Sequence, residues 1–566
     1  MTFPRSHVDT RRCRAAGWLG LILACWLLPT WGARTSVAST VVEGGPEQVI
    51  AAAVETTHSG GKVVIDGDTL ASIVVLPEFY ERRSFRPAWT SPAVTGELVR
   101  AIRDSAGDGL DPADYHLAAI ERLRAKTPAP PETQGQFDLL LTDAAVRLAY
   151  HLRFGKVDPE ALDPNWNMET DLGGIDPVTV LQQAIDQGRV YQALEDLEPR
   201  YPFYTRLKKA LAEYRRIAAS GGWDTIPAGG PLKPGVTDAR VTKLRHRLGV
   251  TGDLPAAAAA DPSSRYDEAV EAGVKAFQER HGLPADGAVG PATLRALDVP
   301  VAARIDQIRA TLERARWVMY DLPERFVLVN VAGFTIAVVG QDGPTWESRA
   351  VVGKTYTKTP IFRADMRYIV LNPTWTVPPG IMKKEVIPGM RRDPHYLERK
   401  GYEMVNGQVV QPAGPKNALG RVKLIMPNPH HVYLHDTPQK SYFNETSRSF
   451  SHGCVRVEKP FELAALALDD PAWTTQALLD AAATGKTRTI VLRKPLPVLI
   501  LYWTAAVGSD GRVQFLPDIY GRDPAVVRGL NARFAFRKRP VLGARAASTA
   551  PRADAHGTAN DDAEER

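Results

Sequence analysis

Residues 431–457 read HVYLHDTPQKSYFNETSRSFSHGCVRV, and this stretch decides how the second half of the chain is interpreted. Within it, Cys454 follows a glycine, and two histidines, His435 and His452, are close to it in sequence. A thiol attacks a carbonyl well only as the thiolate, and with a pKa of about 8.5 it needs a base or a positive partner nearby. The stretch therefore predicts a nucleophilic cysteine site.

The segment before this cysteine is predicted to be a strand that ends at His435. Period-two alternation would place His431, Tyr433 and His435 on one face of that strand. The loop of residues 437–450 would then return the chain so that Cys454 faces the strand end. On this reasoning alone, the nearby His452 remains a second candidate for the base.

The turn before Cys454 is the predicted oxyanion pocket. Gly453 permits a tight turn and a close approach of substrate to the backbone. Consecutive N–H groups around Gly453 and Cys454 could donate to the oxygen that becomes negative during attack. Zinc binding by histidines 430, 431 and 435 with Cys454 is a weaker alternative, because alternation sends His430 to the opposite face of the strand and no C-x-x-C or H-E-x-x-H spacing is present.

The stretch resembles the signature of the YkuD-type L,D-transpeptidase family: an upstream His, then Ser/Thr-His-Gly-Cys, a hydrophobic residue and Arg or Asn. The resemblance implies that Cys454 is the nucleophile, that His435 is the general base and acid, and that the backbone carbonyl of Asp436 orients His435. It also implies that His452, Gly453 and Ser451 form and support the oxyanion hole. Arg456 and Tyr433 would face the substrate.

The same resemblance implies a reaction on peptidoglycan stem peptides, with no cofactor and no metal. Cys454 would be acylated by a tetrapeptide stem with release of the terminal D-Ala, and an amine of a neighbouring stem would complete a 3→3 cross-link. Alternatives in the same class use water as acceptor, as in an L,D-carboxypeptidase, or a wall-protein amine. An alternative of another class is a non-catalytic peptidoglycan-binding protein.

Charge and cysteine content limit the other functions. The chain has 566 residues and a net charge of +6. Residues 1–38 carry five arginines and one aspartate, which leaves about +2 for the rest, so nucleic-acid binding has little electrostatic support. Of three cysteines, Cys13 and Cys25 lie in the N-terminal segment, so a mature chain would keep one thiol and no internal disulfide.

The N-terminal segment, residues 1–38, is predicted to be an export signal. Arg11, Arg12 and Arg14 form a positive region, residues 15–28 an apolar one, and residues 36–38 a small-residue cleavage site. We therefore expect a periplasmic protein. The alternative is an uncleaved inner-membrane anchor, which would be the chain's one contact with a membrane.

The remaining pattern predicts an α+β multidomain protein similar to the long periplasmic YcbB-type members of the family. Residues 231–299 resemble the small three-helix peptidoglycan-binding domain. The resemblance depends on Phe277, Gln278 and the D-G-x-V-G-x-x-T-x-x-A-L ending at residues 286–297. The predicted parts are a linker (39–69), a helical scaffold (70–230), the peptidoglycan-binding domain (231–299), a helix returning to the scaffold (300–325), a mainly-β catalytic domain (326–493), a C-terminal β extension (494–542) and a disordered tail (543–566).

Residues 378–429 are predicted to be an insertion in the catalytic domain. The segment is rich in proline, glycine and polar residues, and long irregular insertions in compact domains are usually functional. The family resemblance implies a capping subdomain over the substrate. Within it, Glu385 and Glu403 are expected to be solvated.

Overall fold

Helices make up the first third of the described chain, and many of them begin at a proline, whose fixed φ suits the first helical turn. The computed structural model describes residues 44–536 except residues 127, 165, 169, 170, 321 and 509. The N-terminal elements are α1 (Pro46–His58), β1 (Val64–Ile65), β2 (Asp68–Thr69), α2 (Val75–Arg82), α3 (Pro92–Asp104), α4 (Leu117–Arg124), α5 (Pro131–Phe154), α6 (Pro159–Leu162), α7 (Pro177–Asp186), α8 (Val190–Glu195) and α9 (Pro202–Ala219).

The signal and tail predictions for residues 1–38 and 543–566 lie outside the described residues. In the described part of the chain, no helix is long and apolar enough to cross a membrane. The linker prediction for residues 39–69 is wrong from Pro46 onward, because α1 buries Ile50, Ala53 and Val54 and packs against α5. Those apolar residues are spaced three and four apart, which is the helical signal that the prediction missed.

The second unit consists of α10 (Arg240–Val250), α11 (Ala256–Ala259), α12 (Glu268–Arg280) and α13 (Pro291–Leu297). It has a hydrophobic cluster of its own, which includes Leu244, Val274 and Phe277. After it, α14 (Val301–Val318) returns to pack on α9, as predicted. The buried Arg316 of α14 donates to the Tyr204 hydroxyl at 2.8 Å and to Glu313 at 2.5 Å.

The last unit is built around one sheet. Its elements are β3 (Phe326–Asn330), β4 (Thr335–Gly340), β5 (Gly343–Gly353), β6 (Phe362–Leu371), β7 (Trp375–Thr376), α15 (Pro379–Ile381), a π-helical turn (Met382–Val386), α16 (Ile387–Arg392), α17 (Tyr396–Lys400), β8 (Glu403–Val405), β9 (Gln408–Gln411), β10 (Val422–Ile425), β11 (Leu434–His435), β12 (Ser449–Ser451), β13 (Val455–Val457), α18 (Pro460–Leu468), α19 (Thr475–Ala483), β14 (Arg488–Leu501), β15 (Ala505–Val507), β16 (Val513–Phe515) and α20 (Asp523–Asn531).

Within the described residues, nine strands form the central sheet in the order β12-β5-β13-β11-β10-β6-β14-β3-β4. Because β4 also pairs with β5, the sheet closes on itself. The apolar residues inside it belong to the same hydrophobic cluster as those of the N-terminal helices. The sheet and the helical region therefore share one core, whereas the second unit has its own.

Two predicted boundaries cut through this sheet. β10 lies inside the predicted insertion 378–429, yet it pairs with β6 and β11. Likewise β14 runs across the predicted boundary at residue 493 and pairs with β3 and β6. Both strands continue the ladder between neighbours on either side, so the inserted segment is shorter than predicted and the sheet extends further along the chain.

The inserted segment proper, residues 375–411, is called the cap below. It contains β7, β8 and β9, which form a separate three-stranded sheet, and the short helices between them. Its buried apolar residues form a small cluster of Val377, Val386 and Val409.

Candidate active site

His435 ends β11, and Cys454 immediately precedes β13, the neighbouring strand of the central sheet. β11 runs parallel to β13 with His435 opposite Arg456, and the Val455 N–H donates to the Tyr433 carbonyl at 3.1 Å. Residues two apart on a strand share a face, and so do residues paired across strands. Cys454 and His435, together with Tyr433 and Arg456, therefore project from one face of the sheet.

The Cys454 thiol is half-buried and lies 3.7 Å from the carbonyl oxygen of His431. Burial raises the pKa of this thiol, and hydrogen bonds from the backbone and side chain of Tyr433, together with the charges of Lys423 and Arg456, partly offset that rise. Near neutral pH the sulfur is therefore a thiol rather than a thiolate, and a base is needed to activate it.

His435 is buried, and its Nδ1 donates to the carbonyl oxygen of Asp436 at 2.5 Å. Burial, followed by the positive charge of Arg456, lowers the pKa of His435 to about 3, while the Asp436 carbonyl acts in the opposite direction. The ring is thus neutral at physiological pH. Because Nδ1 carries the proton, Nε2 is the nitrogen with a free lone pair.

The carboxylate of Asp436 fixes the segment whose carbonyl holds His435. It accepts hydrogen bonds from the Arg421 N–H at 2.9 Å and from the Lys440 ammonium at 2.6 Å. Gly420, with a φ of +64°, leaves room for it, since a Cβ at that position would lie 2.4 Å from the Asp436 carboxyl carbon. The orientation of His435 thus depends on a residue outside the motif.

Ser451 closes the turn that presents the nucleophile. Its hydroxyl donates to the Cys454 carbonyl at 2.5 Å and accepts from the Gly453 N–H at 3.1 Å. Gly453 has a φ of +123°, a conformation that only glycine adopts readily, and its carbonyl accepts from the Thr359 hydroxyl at 2.9 Å. Because the Gly453 N–H already has an internal partner, its predicted part in the oxyanion hole is not supported by this geometry; that of the Cys454 N–H stays a prediction.

His452 points toward the cap. Its Nε2 lies 2.6 Å from the Glu385 carboxylate, which belongs to the π-helical turn of residues 382–386. Glu385 and Glu403 are both exposed, as expected for solvated residues, but Glu385 also makes this contact with His452, which the sequence did not predict. A histidine engaged with a carboxylate above the pocket is less available as a base than His435.

The predicted strand before His435 is wrong in its length. Only Leu434 and His435 are paired, and His431 has a φ of +52°, which takes it out of the extended conformation. As a result His430 does not project away from the site: both His430 and His431 line the pocket. Sequence alternation could not reveal this break, because histidine carries no strong turn signal.

The pocket above Cys454 has a volume of about 990 Å³. The sheet contributes Tyr433, His435 and Arg456 to its lining, and the cap contributes Pro379 and Glu385 among others. Arg456 donates to the Gln439 amide oxygen at 3.4 Å.

Among the described residues, no group of three or more His, Cys, Asp or Glu side chains could hold a metal ion.

Lys423 is a pocket residue that the sequence analysis did not find. It lies on β10 directly opposite His435, and its ammonium lies 4.0 Å from the ring centroid of Tyr433. The signal was the alternation of Val422, Leu424 and Met426, all buried, which marks a strand inside the segment that was assigned to the insertion.

The family model described as "L,D-transpeptidase catalytic domain" (YkuD) matches residues 324–491. Residues 324–491 are a YkuD-type L,D-transpeptidase catalytic domain. Residues 75–211 match "Scaffold domain" and residues 237–297 match "Putative peptidoglycan binding domain". The α+β class is confirmed, with a helical N-terminal region, a peptidoglycan-binding domain and a mainly-β YkuD-type domain.

A curated protein of Haemophilus influenzae named "Putative L,D-transpeptidase" is 32% identical over 217 residues. The match covers 35% of this chain and 44% of that protein, so it spans less than half the length of the relative.

Two solved L,D-transpeptidase structures also match the chain. The one from Xylanimonas cellulosilytica is 17% identical and covers 49% of this chain and 99% of its own, with a TM-score of 0.16. The one from Stackebrandtia nassauensis is 14% identical and covers 49% and 96%, with a TM-score of 0.21.

Proposed function

We propose that this chain is an exported cysteine L,D-transpeptidase that cross-links peptidoglycan in the periplasm. The observation that carries the proposal is that a neutral His435 at the end of β11 and Cys454 just before the adjacent β13 line one covered pocket. The matches to catalytic and peptidoglycan-binding domains support it.

In the first half-reaction, His435 Nε2 takes the proton of the Cys454 thiol as the sulfur attacks the carbonyl of the third residue of a tetrapeptide stem. The carbonyl oxygen becomes negative and is stabilised by the Cys454 N–H. The C–N bond to the terminal D-Ala then breaks, and the imidazolium returns its proton to the leaving amine. A thioester and free D-Ala result.

In the second half-reaction, the side-chain amine of a neighbouring stem attacks the thioester carbonyl. His435 accepts a proton from that amine, the C–S bond breaks, and the proton returns to the sulfur. The product is a 3→3 cross-link and the regenerated thiol. If water attacks instead, the same steps release a tripeptide, and the enzyme is an L,D-carboxypeptidase.

Intact-mass spectrometry of the full chain tests this assignment. With a stem tetrapeptide, or with a carbapenem as the family resemblance implies, the wild type should gain one adduct that maps to Cys454. Cys454→Ala should gain none while keeping its thermal unfolding transition. An adduct on the alanine variant would refute the nucleophile.

The products then identify the acceptor. A tetrapeptide–tripeptide dimer supports transpeptidation, and accumulation of tripeptide alone supports hydrolysis. Dimers whose cross-link joins a fourth residue, not a third, would contradict the proposed linkage.

Residues 231–299 would hold the enzyme on its polymeric substrate and so raise the local concentration of stems. Their separate hydrophobic cluster supports testing them as an isolated fragment. The fragment should sediment with purified sacculi. If it stays in solution while the full chain sediments, wall binding belongs to another part of the protein.

A further inference from the structure

Lys423 is a half-buried cation beside the nucleophile with no acidic partner in the described part of the chain. Its ammonium lies 4.0 Å from the ring centroid of Tyr433, which itself contacts Cys454. By contrast, the half-buried Lys208 is paired with Glu198 and the buried Lys156 with Asp114, both at 2.6 Å. A desolvated ammonium without a carboxylate is unfavourable, so its retention here calls for a ligand.

The charges that line the pocket are mostly positive. Among the described residues around it, Glu385 is the one acidic side chain, and it is already engaged by His452. The lining cations are Lys354, Lys384, Lys400, Lys423 and Arg456. Such a pocket favours an anionic ligand. Lys423 is the cation paired with His435 across the strands, so the negative charge of the ligand would lie next to Lys423.

A peptide donor places a carboxylate at that point. When the sulfur attacks the carbonyl that precedes the last residue, the terminal carboxylate carbon is three bonds from the attacked carbon, roughly 4 Å or less away. A cation next to the sulfur on the same sheet face is therefore within reach of it. We propose that Lys423 binds the terminal carboxylate of the leaving residue, and that it makes the site select donors in which this carboxylate is free; the inference rests on the function proposed above.

The electrostatics of His435 support this role. Arg456 and Lys423 both lower the pKa of His435 in the empty pocket. A carboxylate bound to Lys423 would cancel part of that positive field and raise the basicity of the imidazole. Donor binding would thus improve the base at the moment when it is needed.

A cation near the sulfur would also stabilise the thiolate, and that effect would speed alkylation by every electrophile equally. Iodoacetate and iodoacetamide attack the same thiolate, but only iodoacetate carries a carboxylate. The ratio of their alkylation rates at Cys454 therefore measures the attraction of Lys423 for a carboxylate. Peptide mapping of the full chain reports Cys454 alone. Lys423→Met should lower the ratio about 10-fold. Lys383→Met, on an exposed cap lysine outside the pocket lining, is the matched control and should leave it unchanged.

Donor selection is then measured with a stem tetrapeptide and its C-terminal amide. The wild type should acylate faster with the acid, Lys423→Met should lose that preference, and Lys423→Arg should retain part of it. Equal use of both donors by the wild type, or an alkylation ratio unchanged in Lys423→Met, would overturn the role of Lys423. If neither donor acylates Cys454, the proposed function fails, and the alkylation ratio still decides whether Lys423 attracts a carboxylate.

Discussion

The strands beneath Cys454 and the cap above it differ in how tightly they are packed. On the sheet side, Leu434 and Val455, the neighbours of the two reacting residues, are completely buried, and main-chain ladders fix their register. In the cap, all of β8 is exposed and Met390 and Met404 face solvent. The contrast indicates that the chemistry rests on a rigid framework, whereas substrate access depends on a segment that can move at low cost. Substitutions in the two regions should therefore affect different kinetic steps.

The largest effect should come from the base. His435→Ala should lower the acylation rate by roughly 10² to 10⁴, because it removes the base that takes the proton of the thiol. Part of that loss should return at high pH, where the thiol ionises unaided. His452→Ala, which loses its contact with the cap, should show no alkaline recovery. The measurement is acylation rate against pH for both variants; recovery of His452→Ala alone would make His452 the base.

A smaller loss is expected from Gly420→Ala. The new Cβ would displace the Asp436 carboxylate and with it the carbonyl that orients His435. A misplacement of that size should lower acylation by about 10²-fold. Gly401→Ala in the cap is the matched control, since Gly401 has nearly the same φ, +66° against +64°, and no atom near its Cβ.

Both glycine variants carry similar backbone strain, but Gly420→Ala adds the clash with Asp436, so its unfolding temperature should fall further than that of Gly401→Ala. If Gly401→Ala lost acylation as strongly as Gly420→Ala, the strain itself and not the position of Asp436 would be the cause, and the contrast between sheet and cap would not hold.

The sequence could indicate the turn that carries Cys454 but not the residues that reach the pocket from distant segments, for a physical reason. The turn of residues 451–454 is local, so its requirements for glycine and a small hydroxyl side chain are visible in four consecutive letters. Lys423 and Glu385 join the site through contacts between segments that are distant in sequence. Lys423 lies on a strand of four residues, and Glu385 lies on an exposed turn. In the same way α1 was assigned to a linker, because its burial depends on α5 about 80 residues later.

Acid should destabilise the protein partly through His435. Its pKa is about 3 in the folded state against 6.5 for an unperturbed histidine, so the unfolded chain binds more protons between these values. The stability is therefore complete above pH 6.5 and is lost as pH falls toward 3, by at most about 1.4 kcal/mol per pH unit for one group. His435→Asn should show a smaller fall in unfolding temperature from pH 7 to pH 5 than the wild type. Burial lowers the pKa of His281 and His151 in the same direction, so some acid sensitivity should remain. An unchanged fall in the variant would mean that His435 is not held neutral.

The smallest effect should come from the contact that joins the cap to the motif. Glu385 and His452 are both partly exposed, and such pairs contribute only about 0.2–1 kcal/mol. Glu385→Gln keeps the shape of the side chain and weakens the attraction, so the cap should open more often. Donor KM should rise by roughly two- to five-fold, while the maximal acylation rate at saturating donor stays the same, because Cys454 and His435 are untouched.

The cap provides its own control in His395 and Glu398, a second histidine–glutamate pair at 3.3 Å that lies outside the pocket lining. Glu398→Gln should change neither parameter. A fall in the maximal rate of Glu385→Gln would show that the cap takes part in the chemical step, and the division of labour between the rigid strands and the loosely packed cap would have to be abandoned.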